Sequence, residues 1–378
     1  MDIEITTCRP NDYDELMILL ETAYRHSRGY FPRRYPHVWR RETVDYDNRL
    51  VVKVDGRIVS HVGIFPLKMK VGRAEIMMGG IGGVATLQEF RGRGFMTKLM
   101  KYAIDKMRKE GYPISILWGD RQRYGHFGYE MAGKYPLFKI STRSLEIEWK
   151  PQKVRIVRYR GEDDLLDSII RLHDSEPIVI ERSRRDYELL FDIPGLMAFL
   201  SEDKTAYVTF VSEHRPNRII EYGGSPENLI PLIYSILTTL GKEYGGLETE
   251  VCSPYYTYDT FLALRRVCYL WRFEPIGMVK VISLKDTLKA YSPILSERGA
   301  NLQIDTSIGV IETGESVRLK VDRGEVVIEE IDTKPELLLD ERSLVRLLFD
   351  GPETIGLKAS KLQVLFPLPL YVWSLDHI

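Results

Sequence analysis

The sequence predicts a mixed α/β protein with α+β character: two mixed-sheet domains in tandem, followed by a small α+β unit. Three observations carry that expectation. Strand-like alternation flanks an Asp55-Gly56 turn near the start. Apolar positions at helical spacing between Phe95 and Met107 follow directly on the end of a strand. The order strand, helix, antiparallel strands, helix, strand then begins again after residue 150. At 378 residues the chain exceeds what one core usually supports, so several domains are expected. The boundaries expected are 1–150, 151–288 and 289–378.

The first segment opens with an alternating strand, Ile3 to Thr7, then Asn11 as a helix cap and a helix bearing Leu16, Leu19, Leu20 and Ala23. Arg49 to Val54 and Arg57 to Val71 alternate on either side of Asp55-Gly56, a pair that accepts the positive φ angles of a type I′ turn. A strand from about Glu75 to Thr86 leads into Arg91-Gly92-Arg93-Gly94 and a helix carrying Phe95, Leu99, Met100, Ala103, Ile104 and Met107. Gly111 and Pro113 end that helix. A short strand, Ile114 to Trp118, a compact turn, Arg121 to Gly128, and a last strand pair to about Ile140 complete the segment.

The second segment repeats this opening with a strand at Val154–Tyr159 and a helix around Leu165–Leu172. Strands near Ala206–Val211 and Ile219–Tyr222, a helix from Pro226 to Leu240 and a strand at Leu247–Val251 follow. From about Ala290 the texture changes to short strands, Ser316–Val321 and Glu325–Glu330, joined by Asp322-Arg323-Gly324, with one helix around Arg342–Leu348. The tail, Phe366 to Trp373, is too apolar to hang in water and is expected to pack back onto the protein.

With 44% hydrophobic and 28% charged residues the composition is that of an ordinary globular protein. No apolar run approaches a membrane span, and the start, Met1-Asp2-Ile3-Glu4, is acidic where a signal peptide is basic, so a cytoplasmic location and no membrane partner are expected. Cys8, Cys252 and Cys268 show no Cys-x-x-Cys spacing; buried reduced thiols are expected, with neither a disulfide framework nor a metal site. The net charge of −1 hides an excess of eight basic residues in 1–150. Nucleic acid or a small polyphosphate would each satisfy such a field.

The segment from Val84, Ala85 and Thr86 to Arg91-Gly92-Arg93-Gly94 lies where a strand ends and a helix begins. There, unpaired backbone N–H groups and the helix dipole converge on an anion. Glycine at 92 and 94 lets a pyrophosphate approach the backbone, and the arginines add charge to the rim. The plain alternative is a glycine-rich turn with solvated arginines. Neither Gly-x-x-x-x-Gly-Lys-Ser/Thr nor an early Gly-x-Gly-x-x-Gly is present, which excludes a P-loop and a dinucleotide fold. Arg91-Gly92-Arg93-Gly94-Phe95-Met96 resembles the acyl-CoA signature Gln/Arg-x-x-Gly-x-Gly/Ala of the GNAT N-acetyltransferase superfamily, with Met96 in place of the usual small residue. Trp118-Gly119-Asp120-Arg121-Gln122-Arg123-Tyr124-Gly125-His126-Phe127-Gly128-Tyr129 resembles a block of the enhanced-intracellular-survival (Eis) type acetyltransferases. His126 stands there for an arginine and Gly119 for a common serine.

That resemblance spans the chain. It implies a catalytic GNAT domain, a second one without the phosphate loop, and a sterol-carrier-protein-like end. It implies acetyl-CoA as co-substrate, no metal, no nucleic acid, a small-molecule or peptide amine as acceptor, and homo-oligomers up to hexamers. Val84, Ala85, Thr86, Arg91, Gly92, Arg93, Gly94, Phe95, Met96 and Gly119 are the implied coenzyme contacts, Val84 and Thr86 through backbone groups that pair with the pantetheine arm. Tyr124 matches the general acid toward the departing sulfur, and the α-carboxylate of Ile378 matches the base. Tyr129 and Phe127 are read as core; Asp120 and His126 are alternative bases, read instead as a surface salt bridge and a turn residue. The second copy has Glu221-Tyr222-Gly223-Gly224-Ser225-Pro226 where a working one carries the arginine-glycine loop, and no cofactor is expected there.

Three function classes remain open at this point. The first is acetyl transfer to a primary amine (aminoglycoside, lysine side chain or polyamine) in a ternary complex. The second is an aminoacyl-tRNA-dependent transferase of tandem-domain type, whose expected mark is a degraded coenzyme A loop, whereas Arg91 to Gly94 is intact. The third is a non-enzymatic acyl-CoA or lipid-binding sensor, in which Tyr124 would have no task.

Overall fold

A computed structural model describes residues 2–211, 218–244, 246–255, 258–358 and 360–377. Its contacts group residues 1–133 with 277–370, and separately 134–276 with 371–377. Among the described residues no helix is long and apolar enough to cross a membrane.

The first unit is built on β1 (Ile3–Thr7), β2 (Arg49–Val54), β3 (Arg57–Val71), β4 (Ala74–Thr86), β5 (Ile114–Leu117) and β6 (Glu130–Ala132), with β15 (Gly277–Val281) joining from far downstream. The order is β1-β2-β3-β4-β5-β15-β6. The β2–β3 hairpin turns as expected, with Asp55 at φ 49° and Gly56 at φ 83°. Strand β3 is covered on both faces from Ile58 to Phe65, and Val59, Val62 and Ile64 are completely buried. On this sheet pack α1 (Tyr13–Tyr24), the short α2 (Tyr30–Arg34) and α3 (Pro36–Trp39), α4 (Phe95–Lys109) and the one-turn α5 (Arg121–Gly125). The apolar stripe of α4 is the reason it docks: Leu99, Met100, Ala103 and Met107 are fully buried. Asn11 does not cap α1. Pro10 opens a 3₁₀ turn over Pro10–Asp12, Asp12 becomes the cap position, and its carboxylate reaches back to the N–H of Arg9 at 2.8 Å.

The same unit holds a second sheet, β18-β17-β16-β19, from β16 (Gln303–Val310), β17 (Ser316–Asp322), β18 (Glu325–Glu330) and β19 (Leu337–Leu339). Arg323 at φ 49° and Gly324 at φ 89° form the expected turn. Helices α11 (Leu284–Ala290), α12 (Ser292–Arg298), α13 (Glu341–Asp350) and α14 (Leu362–Leu365) accompany it. Helix α13 lies against β6 and β15. There Arg342 shares the buried carboxylate of Glu130 with Arg121, and Glu341 pairs with the buried Lys280. These contacts cross the boundary expected at 288.

The second unit contains β7 (Tyr135–Ser141), β8 (Ile156–Arg158), β9 (Ile178–Ile180), β10 (Leu196–Ser201), β11 (Tyr207–Val211), β12 (Arg218–Gly223), β13 (Glu248–Cys252) and β14 (Leu270–Glu274). Its helices are α6 (Thr142–Glu148), α7 (Asp163–Asp174), α8 (Arg184–Phe191), α9 (Pro226–Tyr244) and α10 (Tyr258–Val267). The sheet order β8-β10-β11-β12-β13-β7-β14 repeats the path β1-β2-β3-β4-β5-β15-β6 of the first sheet, and along each path one pair is parallel, β4 with β5 and β12 with β13. Residues 135–141 do not pair with β6 as expected; they lie between β13 and β14, while β15 takes the matching place between β5 and β6. Along the chain the division between the two sheets falls near 133 and 277. A strand has no local preference between two sheets of the same pattern.

The apolar tail packs as expected: Tyr371, Val372 and Trp373 are buried in the second unit, and the indole N–H of Trp373 donates to Ile178 O at 3.0 Å. Cys8 and Cys252 are buried, but Cys268 is half-exposed, since it follows the end of α10.

Candidate functional site

Beyond one point the central strands of the first sheet part. Strands β4 and β5 pair in parallel only as far as Ile81 opposite Leu117, after which β5 ends and β4 continues to Thr86. Gly82 to Thr86 thus present a strand edge with no β5 partner, the kind of edge an extended ligand can join. A bulge against β3 re-aims this stretch: His61 faces Ala85, Gly63 faces Gly82, and Gly83 takes φ 60°. The imidazole of His61 donates through Nδ1 to Gly83 O at 2.7 Å. Its burial pulls the ring's pKa down to about 3, so it is neutral at physiological pH.

The glycine-rich loop joins this edge to α4. Gly92 and Gly94 sit at φ 76° and 74°, and a Cβ placed on either would meet no protein atom within 4 Å. Protein packing therefore does not demand glycine there; the left-handed backbone does, and the open space beside it suits an arriving phosphate. Gly94 is the cap of α4 and offers no side-chain acceptor, and Lys98 N to Gly94 O is an early helical bond at 3.0 Å. The N–H groups of Phe95, Met96 and Thr97 precede it in the exposed first turn.

The side chains of this stretch divide between solvent and core. Arg91 and Arg93 are exposed, Arg91 donating to Thr86 O at 3.3 Å and Arg93 lying 5.0 Å over the Phe90 ring. Phe95 is buried and Met96 packs half-buried on the same core, so both face the loop only through their backbones. Ala85 is buried, and its carbonyl accepts from Ser60 Oγ at 3.0 Å. Val84 O accepts the hydroxyl of Tyr24 at 3.1 Å, so two of the carbonyls expected to meet pantetheine, those of Val84 and Thr86, already hold side chains of this protein. A carbonyl has two lone pairs, and each keeps one.

On the β5 side stand Gly119 and Tyr124. Asp120 accepts the N–H of Arg123 at 2.7 Å and so caps α5; it is a cap rather than the expected surface salt bridge, because the one-turn helix begins immediately after it. His126 is exposed in the turn. The cap holds the ring of Tyr124 inward, buried and edge-on to Tyr129 at 6.4 Å. Tyr129 itself is core, its hydroxyl 2.7 Å from Ser115 Oγ. A Cβ on Gly119 would fall 2.3 Å from Cε2 of Tyr124, so glycine is required here to seat that ring. Burial raises the Tyr124 phenol above its usual range, and the Arg123 guanidinium offsets part of the shift.

Sequence reasoning missed Tyr24. Its ring is partly exposed, but its hydroxyl turns in to Val84 O, and burial pushes its pKa up to about 12, with the field of Tyr124 adding to the rise. Its place at the end of α1 carries no local signal of that contact. Ile378 lies outside the described residues.

The matching place in the second unit is differently furnished. Gly224 N donates to the Glu176 carboxyl at 3.2 Å, and burial pushes that carboxyl up to about 8. Glu221 is fully buried and paired with Arg182 at 2.6 Å, and Arg182 also holds Asp376 of the tail at 2.6 Å. The ring of Trp373 stands edge-on to Tyr222 at 5.2 Å. Side chains and tail of the same unit occupy the ground where the first unit has its open loop.

Comparison with known proteins agrees with this geometry. The acetyltransferase (GNAT) domain family matches residues 4–132. An uncharacterized N-acetyltransferase of Streptomyces coelicolor is 30% identical over 144 residues, 37% of this chain and 32% of that protein. The uncharacterized N-acetyltransferase YhbS of Escherichia coli is 22% identical over 118 residues, 31% of this chain and 65% of that one. The chain thus spans about a third of the length of the first relative and under two thirds of the second. Among solved structures, a GCN5-related N-acetyltransferase from Kribbella flavida superposes with a TM-score of 0.73 at 16% identity, over 100% of this chain and 98% of that one. Eis1 from Mycobacterium abscessus superposes with a TM-score of 0.66 at 13% identity, over 99% and 100%. At such identities the likeness is one of fold. Over residues 4–132 the chain is similar to the acetyltransferase (GNAT) domains.

Proposed function

We propose that the chain is an acetyl-CoA-dependent N-acetyltransferase of Eis-like build, with a degenerate second GNAT domain and a sterol-carrier-protein-like end, which transfers acetyl to a primary amine by direct attack in a ternary complex. The observation that carries this reading is a convergence at one sheet opening. The open α4 N-terminus, the unpartnered edge of β4 and the buried phenol of Tyr124 all adjoin the place where β4 and β5 part. The loop N–H groups and Arg91 and Arg93 suit the pyrophosphate, and the β4 edge suits the pantetheine arm.

In the transfer, the amine lone pair attacks the thioester carbonyl and the C–S bond breaks. The sulfur leaves as a thiolate that takes a hydrogen bond or proton from Tyr124, while the proton of the amine goes to a base. The base is needed because a lysine-like amine of pKa about 10.4 is almost wholly protonated at neutral pH. The raised pKa of Tyr124 keeps its proton in place through the physiological range. Cys8 does not compete as a covalent nucleophile, since burial pushes its thiol up to about 12.

Calorimetric titration with acetyl-CoA, followed by thiol release against aminoglycosides, polyamines and lysine peptides with and without acidic neighbours, tests the reading. Saturable binding and turnover on at least one amine are expected. Binding with no turnover on any amine overturns the enzymatic reading in favour of a sensor, and no binding overturns both.

A further inference from the structure

Strand β14 ends the order of the second unit's sheet, and among the described residues no strand pairs with its outer edge. Exposed edges are normally blunted by proline, bulges or inward charges, because a row of free N–H and C=O groups invites pairing with another chain. This one is blunted only at its end, by Pro275. Leu270 to Glu274 runs without proline or bulge, and Tyr269, Leu270, Trp271 and Phe273 are each 39–51% exposed. One face of the strand is aromatic: Trp271 and Phe273 meet edge-on at 5.2 Å, and Tyr255 meets Phe273 at 5.3 Å. The other face ends a ladder of alternating charge. Arg218 donates to Glu250 at 3.0 Å, Arg272 to Glu250 at 3.3 Å and to Glu274 at 3.0 Å, so opposite charges stand side by side at the rim.

We propose that this edge pairs with itself: β14 of one copy lies antiparallel to β14 of a second copy, Phe273 opposite Phe273, with Arg272 of each facing Glu274 of the other. A twofold axis perpendicular to a continuous sheet keeps each face on its own side, so the axis must pass through a residue, not between two. Centred on Arg272 or on Glu274, the pairing stacks like charges directly opposite, which is destabilising. Centred on Trp271, it sets Arg272 against Leu270. Centred on Phe273, it forms two opposite-charge pairs, joins the two aromatic faces and sets Trp271 against Pro275, whose missing N–H ends the ladder. The charge pattern thus selects a second copy, and one register of it.

Sedimentation velocity and oxidative cross-linking of the full chain test this. The wild-type chain is expected to sediment as a twofold assembly or a multiple of it at micromolar concentration. Arg272→Glu, which sets Glu against Glu274, should lower that state, and the swapped pair Arg272→Glu with Glu274→Arg should restore it. Because Arg272 also has partners within its own chain, melting of each variant is compared alongside. Phe273→Cys gives a readout that leaves the charges intact: opposite Cα atoms in antiparallel pairs lie roughly 4.5–5.5 Å apart, within disulfide reach, so a covalent dimer should form under mild oxidation. A wild-type chain that stays monomeric overturns the proposal. So does an oligomer that ignores Arg272→Glu and yields no Phe273→Cys cross-link.

Discussion

Replacing Gly119 by alanine adds one carbon where the structure has no room for it. The new Cβ would stand 2.3 Å from Cε2 and 2.8 Å from Cδ2 of Tyr124, against a normal carbon contact of roughly 3.5–4.0 Å. The Leu117 side chain is 3.4 Å away on another side, so the ring must withdraw by roughly 1 Å or more. A displacement of about 1 Å at a reacting group costs on the order of 100-fold in rate, or about 2.7 kcal/mol of barrier. Overpacking should also take about 1–3 kcal/mol from stability. The expected result is a kcat lowered about 100-fold, with acetyl-CoA affinity falling by no more than the one contact implied at Gly119, since the α4 N-terminus is a separate element. Tyr124→Phe should lose a similar factor, and the double variant should be no slower than Tyr124→Phe alone, because both changes act through one hydroxyl. Steady-state thiol release with an accepted amine, beside thermal melts, measures all three. Full kcat in a folded Gly119→Ala protein, or losses that multiply in the double variant, would refute the assignment of Tyr124 as the acid.

Gly94→Val should abolish acetyl-CoA binding by calorimetry while the protein still folds, at a cost of roughly 1–2 kcal/mol for a branched residue held at φ 74°; unchanged affinity removes the phosphate-loop assignment. Arg182→Met leaves the carboxylates of Glu221 and Asp376 buried without their cation. Breaking such a buried pair costs about 3–5 kcal/mol, and an unshifted melting temperature would show the network to be dispensable. His61 titrates near 6.5 when unfolded and near 3 when folded, because burial disfavours its charged form. Its contribution is therefore full above pH 6.5 and is lost as pH falls toward 3, at up to about 1.4 kcal/mol per pH unit. Urea melts across that range should show the slope, and His61→Gln should reduce it by the share of one histidine, since burial also pulls His173 down to about 3.

What the sequence alone determined is what neighbours along the chain decide. The bounds of β2 and β3 follow from period-two alternation, and their turn from Asp55-Gly56. The face of α4 follows from apolar residues three and four apart, and the glycine loop from its place between a strand end and a helix start. What only the tertiary structure decided depends on partners far away in the chain. Strand β16 was not anticipated, because its Gln303-Ile304-Asp305-Thr306-Ser307 start is too polar to signal a strand before β17 and β19 enclose it. Residues 135–141 read as a strand, yet nothing local says that they belong to the second sheet, nor that Gly277–Val281 returns to the first. The site divides the same way. Its glycine-loop half is one contiguous segment and is legible in the sequence. Its other half rests on contacts across long loops: Tyr24 to Val84, His61 to Gly83, and the strand exchange that gives β5 its neighbour β15. Loop-closing contacts of this kind carry no periodicity, because they arise only when the packed sheet sets the distance between residues that the chain keeps far apart.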